Sequence, residues 1–366
     1  MPPLPQIPQD TRPAARGRIA VLIVDDSVVV RRIMARVLEA DPRFAMVGAV
    51  ASGAQALAFV QAHPVDLVLL DVQMPDLDGI ELLPRLLDPA RRLRVVLLSA
   101  MCREGSELAL QALAMGASDV VAKPSAGHFS DAFVAHLLDR LVDLVVPAEP
   151  GPRPGRRDEA AAVLRPVGAS VRALGIGAST GGIGAILALL GGLSAPLPFP
   201  LFVTQHLPAS FQPLFARQLR RAIRLPVVLA EDGLPVRAGT VHLAPGHAHL
   251  SLAREGHGQG VGPVRVALSD ERCLHGGVPA VDPMFAALAR VYGAGACGII
   301  LSGMGRDGTA GGRAIADAGG WLIAQDHQSS AVWGMPGAVV KAGLASLILP
   351  PADMAEAVMA CGRDLP

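Results

Sequence analysis

The first 146 residues alternate between short apolar runs and longer segments in which apolar and polar positions recur with helical spacing. The apolar runs lie at positions 19–26, 44–50, 65–72, 94–100 and 119–123. Short, continuous runs of this kind are typical of strands buried on both faces of a parallel sheet, and the helical segments between them supply the crossovers. The pattern predicts an α/β domain with a five-stranded, doubly wound parallel sheet in the flavodoxin-like order.

The segment after the first run shows the helical spacing most clearly. Val29, Ile33 and Val37 recur at intervals that place them on one helix face, and Arg31 and Arg36 fall on the other. We therefore expect the three apolar side chains to form the buried stripe of the first helix.

A second alternating zone follows a break in the pattern. Its apolar runs lie at positions 173–179, 199–206, 240–246, 295–305, 321–326 and 345–350. These runs predict a second doubly wound α/β domain. Residues 147–170 are rich in proline and predict a linker, and residues 1–18 predict a disordered leader. The expected domains are therefore 19–146 and 171–366.

Composition narrows the class of protein. A chain of 366 residues is long enough for about two domains. Lys+Arg and Asp+Glu are 32 each and aromatic residues make up 3%, so the chain lacks the basic surface and stacking side chains of a nucleic-acid binder. Its 4 cysteines lie far apart with no CxxC pair, which argues against a disulfide scaffold or zinc ribbon and favours a reducing compartment.

One stretch imitates a membrane-spanning segment. No formally charged residue occurs from Ala173 to Gln205, but Pro196, Pro198 and Pro200 divide the stretch into pieces too short to span a bilayer. The N-terminus also lacks the apolar core of a secretory signal. The sequence therefore predicts no membrane insertion and a cytoplasmic location.

Reactive side chains occupy the carboxyl ends of the strands expected in the first domain: Asp25, Asp26, Asp71, Ser99 and Lys123. In an open parallel sheet these ends meet at one edge, where ligands bind. Clustered carboxylates repel unless a hard cation holds them, and Mg²⁺ suits such oxygen ligands. A carboxylate beside Mg²⁺, with a lysine and a serine at hand, suits a transient acyl phosphate. For Asp25 alone, a helix N-cap remains an open alternative.

The first domain resembles the receiver domains of two-component systems. The matching segments are VDDS (24–27), LLDVQMPDLDG (69–79), LLSA (97–100) and VAKPS (121–125). The resemblance implies that Asp71 accepts a phosphoryl group from a histidine kinase. Receivers usually carry an aromatic switch residue three positions before the lysine, and Val120 departs from that pattern.

The same resemblance implies a role for each polar residue around Asp71. Asp26 would bind Mg²⁺ directly, Asp25 would bind it through water, and the Gln73 carbonyl would complete the shell. Ser99 and Lys123 would hold the phosphoryl oxygens.

The second domain opens on a glycine-rich segment, GIGASTGG, at 175–182. Within it, Gly177, Ser179 and Gly181 fit the pattern G-x-S-x-G between an apolar run and a helical stretch. A nucleophile on such a tight strand-to-helix turn needs small neighbours, and amides at a helix N-terminus can receive an oxyanion. Glycine-rich turns also bind dinucleotide phosphates, but no acidic residue ends a second strand about 20 residues later, as that motif requires.

A serine nucleophile needs a general base and a group that orients the base. His206 ends one predicted strand, and Asp307 lies in the loop after another. Both are positions at which catalytic groups gather in α/β sheets. The Ser–His–Asp order differs from that of α/β-hydrolases, but triads are defined by geometry and not by order.

A competing cluster contains His242, His247 and His249, whose spacing could provide zinc ligands. The stretch contains no carboxylate, and Pro245–Gly246 predicts a turn. We therefore favour a polar loop at the rim of the active site, with a metal-dependent hydrolase as the alternative.

Segments of the second domain are similar to the catalytic domain of chemotaxis protein-glutamate methylesterases, and they follow the order of that family. They are GIGASTGG, VTQHLP (203–208), HLAPGHAHL (242–250), VDPMF (281–285), LSGMGRDG (301–308) and VWGMPG (332–337). A receiver, a linker and this domain together resemble the CheB-type response regulators from end to end.

This second resemblance implies Ser179 as nucleophile, His206 as general base and then acid, and Asp307 as the group that orients His206. The oxyanion donors are expected among amides near Ser179 and in the loop 303–308, and Thr180 is expected to steady His206 or this loop.

The implied substrates are glutamate methyl esters on chemoreceptors, which would yield methanol, and many relatives also deamidate receptor glutamines. We expect Mg²⁺ at the receiver site, no cofactor for the ester reaction, and a monomer. The alternative is a phosphorylation-dependent scaffold with an inactive esterase domain.

Overall fold

The computed structural model describes residues 17–75, 79–87, 93–99, 107–123, 131–146, 171–193, 196–255, 262–270 and 277–362. The chain divides into two compact units, Met1–Pro147 and Ala148–Pro366, which we call the N-terminal and C-terminal units. The expected linker and all but the last two residues of the expected leader lie outside the described residues.

The N-terminal unit is a parallel sheet with helices between successive strands. The strands are β1 (Ile19–Val24), β2 (Phe44–Val50), β3 (Leu67–Asp71), β4 (Arg94–Ser99) and β5 (Asp119–Ala122), and the helices are α1 (Val28–Glu39), α2 (Gly53–Ala62), α3 (Gly79–Leu86), α4 (Glu107–Ala114) and α5 (Asp131–Val145). The strand order β2-β1-β3-β4-β5 confirms the flavodoxin-like prediction. All residues of β1 and β3 are buried, as expected for strands covered on both faces.

Helix α1 corrects one expectation, because its buried side chains are not the predicted ones. Met34 and Leu38 are 1% and 0% exposed, whereas Val29 is 64% exposed. The hydroxyl of Ser27 accepts a hydrogen bond from the Val30 amide and so begins the helix at Val28. Apolar residues occupy two adjacent stripes of this helix, and spacing alone selected the wrong one.

The C-terminal unit contains more strands than the pattern predicted. Its strands are β6 (Ala173–Ala178), β7 (Leu201–Gln205), β8 (Val227–Leu229), β9 (Val241–Leu243), β10 (His249–Arg254), β11 (Val264–Ser269), β12 (Ala296–Ile300), β13 (Trp321–Gln325) and β14 (Leu347–Leu349). Seven of them form a parallel sheet in the order β14-β13-β12-β6-β7-β9-β8, and β10 pairs with β11 in a separate antiparallel ribbon. The parallel sheet confirms the predicted class of fold, whereas β8, β10 and β11 were not predicted.

Helices of the C-terminal unit connect these strands: α6 (Gly182–Gly192), α7 (Gln212–Ala222), α8 (Val281–Tyr292), α9 (Thr309–Asp317), α10 (Gly334–Lys341) and α11 (Pro351–Gly362). Helix α8 packs into the core with β10 and β12 through residues that include Phe285, Leu250 and Ile300. It also packs closely on β6, because a Cβ at Gly177 would lie 2.4 Å from Cγ1 of Val281. The first turn of α8 therefore lies beside the strand that leads to Ser179.

No helix among the described residues is both long and apolar enough to cross a bilayer. The uncharged stretch from Ala173 to Gln205 divides into β6, α6 and β7.

Candidate functional site

Ser179 lies on the tight turn between β6 and α6. The turn is closed by the Gly182 amide, which donates to the Ser179 carbonyl at 2.9 Å. Gly181 has a φ of 74°, in the left-handed region that glycine tolerates best. A Cβ at that position would lie 2.3 Å from the Cβ of Ala331. Both the backbone conformation and the space therefore require glycine there, as the G-x-S-x-G pattern predicts.

His206 follows β7, the strand next to β6, and backbone contacts fix it beside the serine turn. The His206 amide donates to the Ala178 carbonyl at 3.0 Å. The Gln205 side chain donates through Nε2 to the Ser179 carbonyl at 2.8 Å. Gln205, which precedes the candidate base, is thus bonded directly to Ser179, which follows β6.

A second buried amide side chain holds the chain on both sides of His206. Gln212, at the start of α7, is fully buried. Its Nε2 donates to the Gln205 carbonyl at 3.1 Å and to the Leu207 carbonyl at 3.4 Å. Neither glutamine was predicted, although the position of Gln205 at the end of an apolar run was a usable signal.

Asp307 is bonded through both carboxylate oxygens. Its Oδ2 lies 2.7 Å from His206 Nε2 and accepts from the Val281 amide at 2.7 Å. Its Oδ1 accepts from the amides of Asp282 at 3.0 Å and Gly308 at 2.9 Å. Val281 and Asp282 are the first residues of α8, whose amides have no partner within the helix. The carboxylate therefore both contacts His206 and caps a helix.

These contacts also set the charge on Asp307. Burial acts to raise its pKa, but hydrogen bonds from His206 and the α8 amides outweigh burial and hold the pKa below its ordinary value. Burial raises the pKa of the neighbouring Asp282, and the charge of Asp307 adds to that increase. Of the two carboxyl groups, Asp307 is therefore the one whose ionised form is favoured.

The imidazole of His206 has one ring nitrogen engaged by Asp307, namely Nε2. Nδ1 is the ring nitrogen that Asp307 does not contact. No hydrogen bond joins Ser179 Oγ to His206 in the described part of the chain. Catalytic hydrogen bonds are often loose in free enzymes and tighten when substrate binds.

The loop after β12 faces the serine turn. The Ser302 carbonyl accepts from the Ser179 amide at 3.0 Å, and Ser302 Oγ donates to the Thr180 carbonyl at 2.8 Å. The Ser302 amide in turn donates to Oε1 of Gln325 at 2.7 Å. Thr180 is thus linked to the loop through its carbonyl.

Several of the expected oxyanion donors are already in use. The amide of Ser179 bonds Ser302, that of Gly303 bonds the Val332 carbonyl at 3.0 Å, and that of Gly308 bonds Asp307. Within the described structure, the amides of Met304 and Gly305 have no hydrogen-bond partner. The loop 303–308 therefore retains donors, whereas the Ser179 amide does not fit the expectation.

The three-histidine segment is not the polar loop that we predicted. His242 is buried in β9, where its Nδ1 lies 3.2 Å from the Leu201 carbonyl and its ring stacks on Phe202. His249 is buried at the start of β10, and only His247 is exposed. The described residues contain no cluster of metal ligands at this segment. Their apolar surroundings, which spacing does not reveal, account for the difference.

The second candidate site is the acidic pocket of the N-terminal unit. Asp25 and Asp71 are 0% and 3% exposed, and Lys123 Nζ bridges them at 2.7 Å and 2.8 Å. Asp26 is exposed, and ligand atoms of the three aspartates all lie within 4.8 Å of one another. Among the described residues this is the only such group of three or more possible metal ligands. The pocket therefore brings together four of the five predicted side chains.

The electrostatics of this pocket follow from two carboxylates that share one ammonium group. Burial raises the pKa of Asp71 above its ordinary value, and Lys123 opposes that increase. Burial acts to lower the pKa of Lys123, but its bonds to Asp25 and Asp71 outweigh burial and raise it. Three carboxyl groups thus face one ammonium group in this pocket, an arrangement that suits a bound cation.

The remaining predicted residues lie around this pocket. The Gln73 amide donates to Asp71 Oδ1 at 3.2 Å. Ser99 ends β4, and its side chain lies outside the described residues. Val120 is partly buried against the core of the N-terminal unit.

A flavodoxin-like unit with an acidic pocket and a second α/β unit with a Ser–His–Asp set define a response regulator joined to a serine hydrolase. The family model described as CheB methylesterase matches residues 174–358, and that of the response regulator receiver domain matches residues 21–130. The chain belongs to the CheB methylesterase family and carries a receiver domain.

Relatives share this organisation over nearly the full chain. A protein-glutamate methylesterase/protein-glutamine glutaminase of Nitrobacter hamburgensis is 38% identical over 351 residues, covering 91% of each chain. A protein of the same name from Rhodopseudomonas palustris is 37% identical over 355 residues, with the same coverage. The crystal structure of the Thermotoga maritima CheB methylesterase catalytic domain is 34% identical, covers 52% of this chain and 98% of that one, and has a TM-score of 0.50.

Proposed function

We propose that this protein is a phosphorylation-activated serine esterase that hydrolyses glutamate methyl esters on chemoreceptors and deamidates receptor glutamines. It would thereby serve adaptation in chemosensory signalling. The observation that carries the proposal is the 2.7 Å contact between His206 and Asp307 beside the Ser179 turn. The names of the relatives supply the substrate class.

The proposed reaction begins when Ser179 Oγ attacks the ester carbonyl and His206 Nδ1 takes the hydroxyl proton. His206 then gives this proton to the departing methoxide, which leaves as methanol, and the glutamyl group remains esterified to Ser179. A water molecule attacks this ester with His206 again as base, which frees the glutamate and restores Ser179. With a glutamine side chain, ammonia leaves in place of methanol.

The negative charge that develops on the carbonyl oxygen needs hydrogen-bond donors at fixed positions. We assign this role to the amides of Met304 and Gly305, since they lie in the loop that faces Ser179. Asp307 would stabilise the positive charge on His206 while it holds the proton.

In the N-terminal unit, Asp71 would accept the phosphoryl group from a histidine kinase. Asp25, Asp26 and Asp71 supply carboxylate oxygens that suit Mg²⁺, with the Gln73 carbonyl as a further ligand. When bound, Mg²⁺ would neutralise the charge that gathers on the phosphoryl oxygens. Ser99 and Lys123 would hold these oxygens once Lys123 exchanges its contact with Asp71 for them.

The test of the ester chemistry is methanol release from methylated receptor fragments by the full chain and by Ser179→Ala. The variant should lose several orders of magnitude in turnover, on the order of the loss seen for other triad nucleophiles. Near-normal methanol release by Ser179→Ala would reject the assignment of the nucleophile. No release by either protein would favour the scaffold hypothesis.

The cytoplasmic location, the monomeric state and the domain boundaries 19–146 and 171–366 stay predictions from the sequence.

A further inference from the structure

We propose that His249 is a positioning residue for the catalytic Asp307, to which it is linked through the first turn of α8. The inference rests on the proposed function, because it concerns the geometry of the proposed triad. His249 belongs to the three-histidine segment for which neither the receiver nor the ester chemistry has a role.

His249 contacts the residue that begins α8. Its Nδ1 accepts a hydrogen bond from the Ala280 amide at 2.9 Å, and its side chain is buried. Ala280 is the N-cap of α8 and has an alanine side chain, which provides no capping acceptor. His249, which is distant from α8 in sequence, thus helps to fix the start of this helix.

Three consecutive amides at the start of α8 donate to the side chains of His249 and Asp307. The amide of Ala280 bonds His249, and the next two, those of Val281 and Asp282, bond the two carboxylate oxygens of Asp307. Because successive amides are joined through a single Cα, an anchor on the first amide limits where the next can lie. The position of the carboxylate that orients His206 therefore depends on the acceptor supplied by His249.

The contact also shows which ring nitrogen of His249 acts as an acceptor. An amide donor needs an acceptor, so Nδ1 of His249 carries no proton in this contact. The positioning role proposed here needs an acceptor at the Nδ1 position. Asparagine can offer its Oδ1 near that position, whereas leucine fills similar space without an acceptor.

The segment provides a matched control in His242. This second buried histidine contacts the Leu201 carbonyl and not the start of α8. A leucine at either position removes a buried imidazole from the same part of the fold, but only His249→Leu leaves the Ala280 amide without this acceptor.

The experiment compares kcat, KM and the melting temperature of the full chain for His249→Leu, His249→Asn and His242→Leu on the methyl ester substrate. We expect His249→Leu to lower kcat about tenfold to a hundredfold with little change in KM, as a misplaced catalytic group does. His249→Asn should restore most of kcat. His242→Leu should lower the melting temperature without a comparable loss of kcat in the folded enzyme.

A double-mutant cycle with Asp307→Asn separates positioning from general stability. If His249 acts through Asp307, adding His249→Leu to Asp307→Asn should lower kcat by less than about twofold. An equal fold loss in both backgrounds, or a His249→Asn variant as impaired as His249→Leu, would overturn the inference. A wild-type chain without Ser179-dependent ester hydrolysis would instead overturn the proposed function, and this inference with it.

Discussion

At the scale of single residues, Asp307 joins the chemistry to the fold. It accepts from three backbone amides and contacts His206, and it is 2% exposed. The amides favour its ionised form, and in the proposed mechanism the carboxylate holds the imidazole in the orientation that leaves Nδ1 for Ser179.

The first prediction concerns the charge of this residue. Asp307→Asn keeps the size of the side chain but cannot stabilise a positively charged His206, so kcat should fall by about four orders of magnitude, as in other triads. Methanol release measures the effect, and circular dichroism checks that the variant is folded. A loss below about tenfold in a folded variant would remove Asp307 from the triad.

The second prediction follows from His242, which burial keeps neutral by lowering its pKa from the ordinary value of 6.5. Below pH 6.5 the unfolded chain takes up a proton that the folded chain does not. Titration of His242 should therefore not affect the free energy of unfolding well above pH 6.5. It should lower the free energy of unfolding as the pH falls below 6.5.

Urea unfolding between pH 5 and 8 measures this dependence. Trp321 and Trp333 are the only tryptophans and both lie in the C-terminal unit, so their fluorescence reports on that unit. His242→Asn removes the titrating group and should flatten the profile between pH 5 and 6.5. An unchanged slope in the variant would assign the effect to other groups.

At the scale of elements, the serine turn depends on one residue with a left-handed backbone. Gly181→Ala should destabilise the protein by about 1–3 kcal/mol, because alanine at a φ of 74° is strained and its Cβ would meet Ala331. Ester hydrolysis should fall as well, since the strain lies two residues from Ser179.

Gly184→Ala is the matched control for this third prediction. It lies in α6 with open space around the position of a Cβ, so alanine should stabilise the helix by about 0.5–1 kcal/mol. Denaturant unfolding measures both variants. Equal stability of Gly181→Ala and the wild-type chain would contradict the account of the turn.

The sequence pattern predicted the long buried strands because continuous apolar runs have few other interpretations. It missed β8, which has three residues, and the ribbon of β10 and β11, whose faces differ in burial. Parallel topology brings strand ends together, so the sequence could predict that Ser179, His206 and Asp307 lie at one edge of the sheet. The contacts of Gln212 and His249 could not be predicted, because both are made with backbone groups that no sequence pattern singles out.

At the scale of the whole molecule, two chemistries share one chain. The family relationship spans both, since relatives match over 91% of their length and not over one unit alone. Phosphorylation of Asp71 can regulate ester hydrolysis only if it stabilises an active state of the chain more than an inactive one. The pocket around Asp71 and Lys123 is where the added charge would act.

Val120 bears on this coupling because it stands where receivers usually have an aromatic switch residue. It is partly buried against the core of the N-terminal unit. A response to phosphorylation in this protein would have to proceed without an aromatic side chain at this position.

The most direct test of the central claim is methanol release from methylated receptor fragments with and without acetyl phosphate, in the presence of Mg²⁺. The wild-type chain should release methanol faster with acetyl phosphate, and Asp71→Asn should show no stimulation. Ser179→Ala should show the loss of several orders of magnitude in both conditions. Equal rates with and without acetyl phosphate, under conditions in which Asp71 is shown to be phosphorylated, would contradict the claim that phosphorylation activates the esterase.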